Sequence, residues 1–149
     1  MRLPQAVLFV CGRNAVRSPM AAGLFRALFR VPTYVASAGV LKGELDPFAV
    51  AAMDDAGLDI ARHKPITLEE LEEWEGLNFD LIVTLSPEAH HKALELTRTL
   101  AAEVEYWPTP DPTVQEGSRE QRLDAYREVR ELLARRIKER FGWRPGGNE

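Results

Sequence analysis

Residues 6–19 read AVLFVCGRNAVRSP, and this stretch decides the fold. Ala6 to Val10 is a continuous apolar run without polar alternation. Such a run suits a strand covered on both faces, as in a parallel sheet packed between helices. Ser18 and Pro19 then give a helix start, with Ser as N-cap and Pro at the first helical position. A buried strand entering a helix through a short polar loop is the first half of a strand–helix–strand unit.

The chain repeats this unit further on. The first helix has an apolar stripe of Ala21, Leu24, Phe25, Leu28 and Phe29, and Tyr34 to Ala38 reads as a second strand closed by Gly39. Asp46-Pro47 starts a helix over Ala49 to Ala56 that stops at Gly57. Thr67 with Glu70 forms a capping box for a short acidic helix to about Trp74, whose charges read as a solvated face. Phe79 to Leu85 is a third strand, Ser86-Pro87 opens a helix to about Ala101, and Val104 to Trp107 is a fourth strand. Ser118 with Gln121 caps the longest helix, which places Leu123, Tyr126, Val129, Leu133 and Ile137 on one face. Gly142 to Glu149 has the composition of a loose tail. The alternation predicts an α/β fold with a parallel sheet and helices on both sides. Ligands of such sheets gather beyond the carboxyl ends of the strands. The loops to search therefore follow Val10, Ala38, Leu85 and Trp107.

Composition narrows the function. The 149 residues are 45% hydrophobic and 28% charged, which fits a single globular domain over residues 1–149. A net charge of −4 argues against a nucleic-acid partner. No apolar stretch reaches the length of a membrane span, and no signal peptide is read at the start. A single cysteine fits a reducing, cytoplasmic setting, and neither it nor His63, His90 and His91 has zinc-ligand spacing. His90 and His91 are expected at the surface, without a catalytic role.

The chemistry is concentrated in Cys11-Gly12-Arg13-Asn14-Ala15-Val16-Arg17-Ser18. A cysteine, five residues and an arginine is a spacing at which a loop can curl round one tetrahedral oxyanion. Its backbone N–H groups form a nest, the following helix adds its positive end, and the Arg17 fork can clamp two oxygens. Such a setting favours thiolate over thiol, and Ser18 could donate to the sulfur. Otherwise Cys11 would be a small core hydrophobe and Arg17 a surface charge. The buried strand before and the helix start after favour the site.

The segment VLFVCGRNAVRSPMA resembles the signature of low-molecular-weight protein tyrosine phosphatases and their arsenate reductase relatives. Ser37-Ala38-Gly39, Asp46-Pro47 with the later GLDIARHKP, and Phe79 to Leu85 extend the likeness over nearly the whole chain. The resemblance implies a flavodoxin-like three-layer αβα sandwich with strand order 2-1-3-4. It also implies a cysteinyl-phosphate intermediate, with no metal and no cofactor. Carried over, Cys11 is the nucleophile, Arg17 the phosphate clamp, Asn14 the residue holding the loop's shape and Ser18 the thiolate partner. Gly12, Arg13, Ala15 and Val16 complete the phosphate-binding loop. Two positions depart from the pattern. Arg13 stands where the family generally has glycine, so it either projects toward substrate or changes the backbone. Val16 replaces a second loop cysteine, which removes any disulfide within the loop.

Cleaving a phosphoester requires a proton for the leaving oxygen. Asp111-Pro112 resembles the family's general-acid motif, so Asp111 takes that role, although an Asp before Pro also forms ordinary turns. The aromatics that usually flank a phosphotyrosine ring are replaced by Thr113 and Val114, with Val40, Leu41 and Lys42 opposite and Trp107 the nearest ring in sequence. The expected substrate is a phosphorylated protein or a small phosphomonoester, handled by a monomer or weak dimer. Two other functions fit less well. Asp80 to Ile137 looks like thioredoxin-coupled arsenate reductases, but Ser86 stands at a resolving-cysteine position, so reduction would depend on an external thiol. A phosphate- or phosphoprotein-binding module without turnover is the third reading.

Overall fold

The computed structural model describes residues 3–145. Strands β1 (Ala6–Cys11), β2 (Tyr34–Gly39), β3 (Leu81–Thr84) and β4 (Glu103–Tyr106) form one sheet in the order β2-β1-β3-β4. All three pairings are parallel, with Cys11 opposite Gly39 and Val10 opposite Thr84. This is the fold class and strand order expected from the sequence. The helices are α1 (Arg17–Leu28), α2 (Pro47–Asp54), α3 (Leu68–Glu75), α4 (Pro87–Leu96) and α5 (Arg119–Phe141), with a short 3-10 turn at Pro112–Val114 before the last.

The apolar run of β1 splits by alternation into the two faces of the sheet. Val7, Phe9 and Cys11 join a cluster with Phe25, Ala52 and Leu133 from α1, α2 and α5. Leu8 and Val10 join a second cluster with Leu68, Leu71, Ala89 and Ala93 from α3 and α4. Val7 to Val10 have no exposed surface, which explains why this strand carries no polar alternation. Among the described residues no helix is long and apolar enough to cross a membrane.

Several boundaries move for physical reasons. α1 starts at Arg17 with Val16 in the cap position and no side-chain cap, so Ser18 is not an N-cap. Its hydroxyl is committed to Cys11 and Asn14 instead. α2 ends at Asp54, ahead of Gly57, which takes a positive φ of 76° in the turn. α4 stops at Leu96, five residues before Ala101, where the Thr97 hydroxyl donates back to the Ala93 carbonyl. β3 begins only at Leu81, because the Asp80 carboxylate accepts from Gln5 and Ala6 N–H beside the ladder. β4 ends at Tyr106, although Trp107 N–H still donates to the Thr84 carbonyl.

Of the expected tail, residues 142–145 are described; Trp143 is partly buried and the other three are exposed. Gly142 adopts the left-handed conformation that closes α5, Trp143 N–H donates to the Lys138 carbonyl, and Lys138 Nζ lies 4.6 Å from the Trp143 ring. The remainder of that expectation, residues 146–149, lies outside the described residues.

Candidate active site

The loop after β1 is held from outside by the strand exit of β2. Val40, Leu41, Gly43 and Asp46 donate their N–H groups to the carbonyls of Cys11, Gly12, Arg13 and Ala15 in turn, at 2.8–3.1 Å. With its carbonyls turned to this strap, the loop keeps its N–H groups for the opposite side, as an anion nest requires. The strap passes so closely that a Cβ on Gly39 would lie 2.5 Å from the Leu41 carbonyl oxygen and 2.6 Å from Asn14 N. The glycine that closes β2 is therefore a condition of the loop's shape.

Asn14 is the hub. Among the described residues it is the single non-glycine with positive φ, at 55°, and it is fully buried. Its Nδ2 donates to Ser18 Oγ at 2.8 Å and to Ser37 Oγ at 3.0 Å. Its Oδ1 accepts from Ile66 N–H at 3.0 Å and faces His63 Nε2 at 2.9 Å. Because the Ile66 N–H can only donate, the amide orientation is fixed, and His63 must carry its proton on Nε2. Burial, with Arg26 adding to it, pushes the His63 imidazole below its ordinary value, while the bond to Asn14 opposes this.

Cys11 Sγ lies 2.9 Å from Ser18 Oγ and accepts from Asn14 N–H at 3.3 Å. Since Asn14 donates into Ser18 Oγ, the Ser18 proton is free for the sulfur or for the Ala38 carbonyl at 3.3 Å. The sulfur is the nearer acceptor. Arg17 Nη1 donates to the Thr109 carbonyl at 3.0 Å, which ties the end of the Cys11 loop to the segment carrying Asp111. Arg136 on α5 braces that segment from behind, donating to the Pro108 carbonyl at 2.6 Å and the Thr109 hydroxyl at 3.3 Å.

Asp111 caps the 3-10 turn. Its Oδ1 accepts from Thr113 N–H at 3.0 Å and from the Thr113 hydroxyl at 2.7 Å. Cys11, Gly12, Arg13, Ala15, Val16, Arg17 and Asp111 line one cavity of about 640 Å³, while Asn14 and Ser18 lie beneath it. Arg13 projects outward, is exposed, and lies over Gly43 without a positive φ of its own, which decides between its two expected placements. The loop's special backbone conformation falls on Asn14 instead.

Three further side chains belong to this site. Phe48 lines the cavity one position after Asp46-Pro47, stacked on Tyr126 at 5.3 Å with the Arg122 guanidinium 4.6 Å from its ring centroid. Tyr126 donates to Asp46 Oδ2 at 2.6 Å, and burial, then Asp46 and Asp111, push its phenol well above its ordinary range. Glu88, in the first turn of α4, brings Oε1 to within 2.9 Å of where a Gly12 Cβ would stand. Phe48 and Glu88 follow loops already singled out by the strand pattern, but nothing in their spacing aims them at Cys11. The third is His63, beneath the loop, whose lone position gives no sequence signal. Trp107 packs in the core against Phe9 and Phe141. Ser86 caps α4, accepting from Ala89 N–H at 3.3 Å. His90 is half-buried, stacked on Tyr106 with Nδ1 2.9 Å from Thr84 Oγ1, while His91 is exposed.

A cysteine at the end of a central parallel strand, heading a loop that closes on an arginine at a helix start, defines the class of cysteine-dependent oxyanion enzymes. A model of the family described as low molecular weight phosphotyrosine protein phosphatase matches residues 6–141, and the chain belongs to that family. An arsenate reductase of Shouchella clausii is 34% identical over 134 residues, 89% of this chain and 91% of its own length. The solved arsenate reductase of Archaeoglobus fulgidus is 29% identical and superposes with a TM-score of 0.68, covering 91% of this chain and 98% of that one. The tyrosine phosphatase Wzb of Escherichia coli K30 reaches a TM-score of 0.76 at 19% identity, over 94% and 98% of the two chains, a likeness of fold alone.

Proposed function

We propose that the protein hydrolyses aryl phosphomonoesters, phosphotyrosine in proteins above all, through a phosphorylated Cys11. The observation that carries this is the position of Cys11 Sγ, held by Ser18 and Asn14 in a loop whose cavity also contains Arg17 and Asp111. The substrate phosphate sits in the N–H nest with two oxygens on the Arg17 fork. The Cys11 thiolate attacks phosphorus, an S–P bond forms, and the bond to the leaving oxygen breaks as Asp111 gives that oxygen a proton. Asp111 then takes a proton from a water whose oxygen attacks phosphorus; the O–P bond forms as the S–P bond breaks, releasing phosphate and the Cys11 thiolate. Phe48 offers a face for the aryl group at the cavity wall.

The test is hydrolysis of p-nitrophenyl phosphate. Cys11→Ser abolishes turnover, and Asp111→Asn slows it by about 10²–10⁴-fold, the usual contribution of a positioned general acid. A Cys11→Ser protein that keeps its rate would sink the proposal. Arsenate reduction is the second reading, favoured by the identity to the Shouchella clausii enzyme. Reducing arsenate to arsenite consumes two electrons from a pair of thiols, and this sequence holds one cysteine. The second thiol would come from outside. Arsenite release that depends on added thiol, with negligible phosphatase rate, would replace the first reading with this one.

A further inference from the structure

A second concavity of about 530 Å³ lies between α1 and the segment Leu58 to His63. Pro19, Gly23 and Ala27 of α1 line it with Ile60. The two sides approach so closely that a Cβ on Gly23 would meet Ile60 Cγ2 at 2.9 Å. Its rim carries Arg26, Arg30, Arg62 and His63, against one carboxylate, Asp59. Asp59 Oδ1 is engaged by Ala61 N–H at 2.8 Å.

None of these arginines has a carboxylate within salt-bridge distance among the described residues. Three guanidinium groups on α5 do have such partners, and Arg127 alone meets Asp55, Glu120 and Asp124, each at 2.8 Å. Arg26 donates to the Val35 carbonyl at 2.7 Å, which holds its fork in place but supplies no counter-charge. A chain of net charge −4 thus sets three arginines without a carboxylate partner round one concave surface, apart from those that line the Cys11 cavity. Planar guanidinium forks match phosphate oxygens in pairs, and several of them converging on one cavity suit a ligand with more than one such group. The cavity's size fits a small molecule, and the acidic balance of the whole chain opposes a long polyanion.

We propose that this cavity is a second anion site, taking a small molecule with two or more phosphate-like groups, and that its occupancy is felt at Asn14 through His63. The route is short. His63 lines the cavity on one side, and its Nε2–H donates to Asn14 Oδ1 on the other, 2.9 Å away. Asn14 in turn holds Ser18 and the positive-φ turn of the Cys11 loop. A ligand that shifts the His63 ring therefore shifts the group that shapes the nest, without touching the nest itself.

The probe is inorganic pyrophosphate, titrated calorimetrically into an Arg17→Ala protein, whose Cys11 loop has lost its clamp. Should that variant fail to fold, the wild-type protein saturated with orthovanadate takes its place. One equivalent is expected to bind, more tightly than inorganic phosphate. Binding should weaken tenfold or more on Arg30→Gln with Arg62→Gln, two residues that make no hydrogen bond or ion pair in the described structure. No binding, or binding indifferent to those substitutions, overturns the site. The Asn14 side-chain amide resonances should move on saturation; a saturated protein in which they stay fixed overturns the coupling.

Discussion

Asn14 concentrates more of the site's structure than any other side chain, and it touches no substrate in the proposed mechanism. It is buried, sits at a φ of 55°, and satisfies Ser18, Ser37, Ile66 and His63 at once. Asn14→Ala takes a partner from each of these groups, the Ile66 N–H among them, and removes a side chain that tolerates the left-handed region. The expected loss is about 2–4 kcal/mol, read from urea denaturation, together with most of the activity. His63 adds a pH dependence. Its folded value lies below the ordinary one near 6.5, so the unfolded chain binds the extra proton first as pH falls. Stability should decline as pH drops through about 6.5 and level off only below the folded value. Melting temperatures of wild type and His63→Gln from pH 7.5 to 5 should differ in slope; parallel curves would contradict this. Cys11 and Arg17 were legible in the sequence because their spacing and setting lie within one local loop. Ser18 lies beside the Cys11 sulfur but does not cap α1, since its hydroxyl is committed within the loop. His63, Phe48 and Glu88 were not legible, because only the folded chain brings them to that loop.

At the level of elements, the local signals carried furthest where a side chain satisfies the backbone nearby. Both expected capping boxes formed, at Thr67 with Glu70 and at Ser118 with Gln121. Ser118→Ala should cost about 1 kcal/mol and Ser118→Gly only a few tenths, a contrast that separates capping from general surface effects. Helix ends were less legible, as α4 shows: Thr97 ends it through its own hydroxyl, with no glycine to announce the stop. Gly39 gives the sharpest prediction at this scale. A methyl group there would collide with backbone atoms of both the strap and the loop, which cannot rotate away as a side chain can. Gly39→Ala should cost about 3 kcal/mol or more and abolish aryl phosphate hydrolysis even in the fraction that stays folded.

For the whole molecule, strand–helix alternation and the unbroken apolar run of β1 were enough to specify a parallel sheet covered on both faces. The strand order rested on family resemblance, since periodicity alone does not say which edges meet. Leu133 lies fully buried in the cluster that joins α5 to α1 and β1, so Leu133→Ala should cost about 2–5 kcal/mol in urea denaturation. The tie from Arg17 to the Thr109 carbonyl has a further consequence, for how the chain is made. Its two ends lie 92 positions apart, and the Arg136 brace behind Thr109 comes later still. During ribosomal synthesis the Cys11 loop emerges early, while the segment of Thr109 and Asp111 and its Arg136 brace are still to be translated. Loop closure over such distances is slow, and contacts of this range form late. Aryl phosphate hydrolysis should therefore recover later than the helical signal on refolding, and half-made chains carry the Cys11 loop without the segment that braces it.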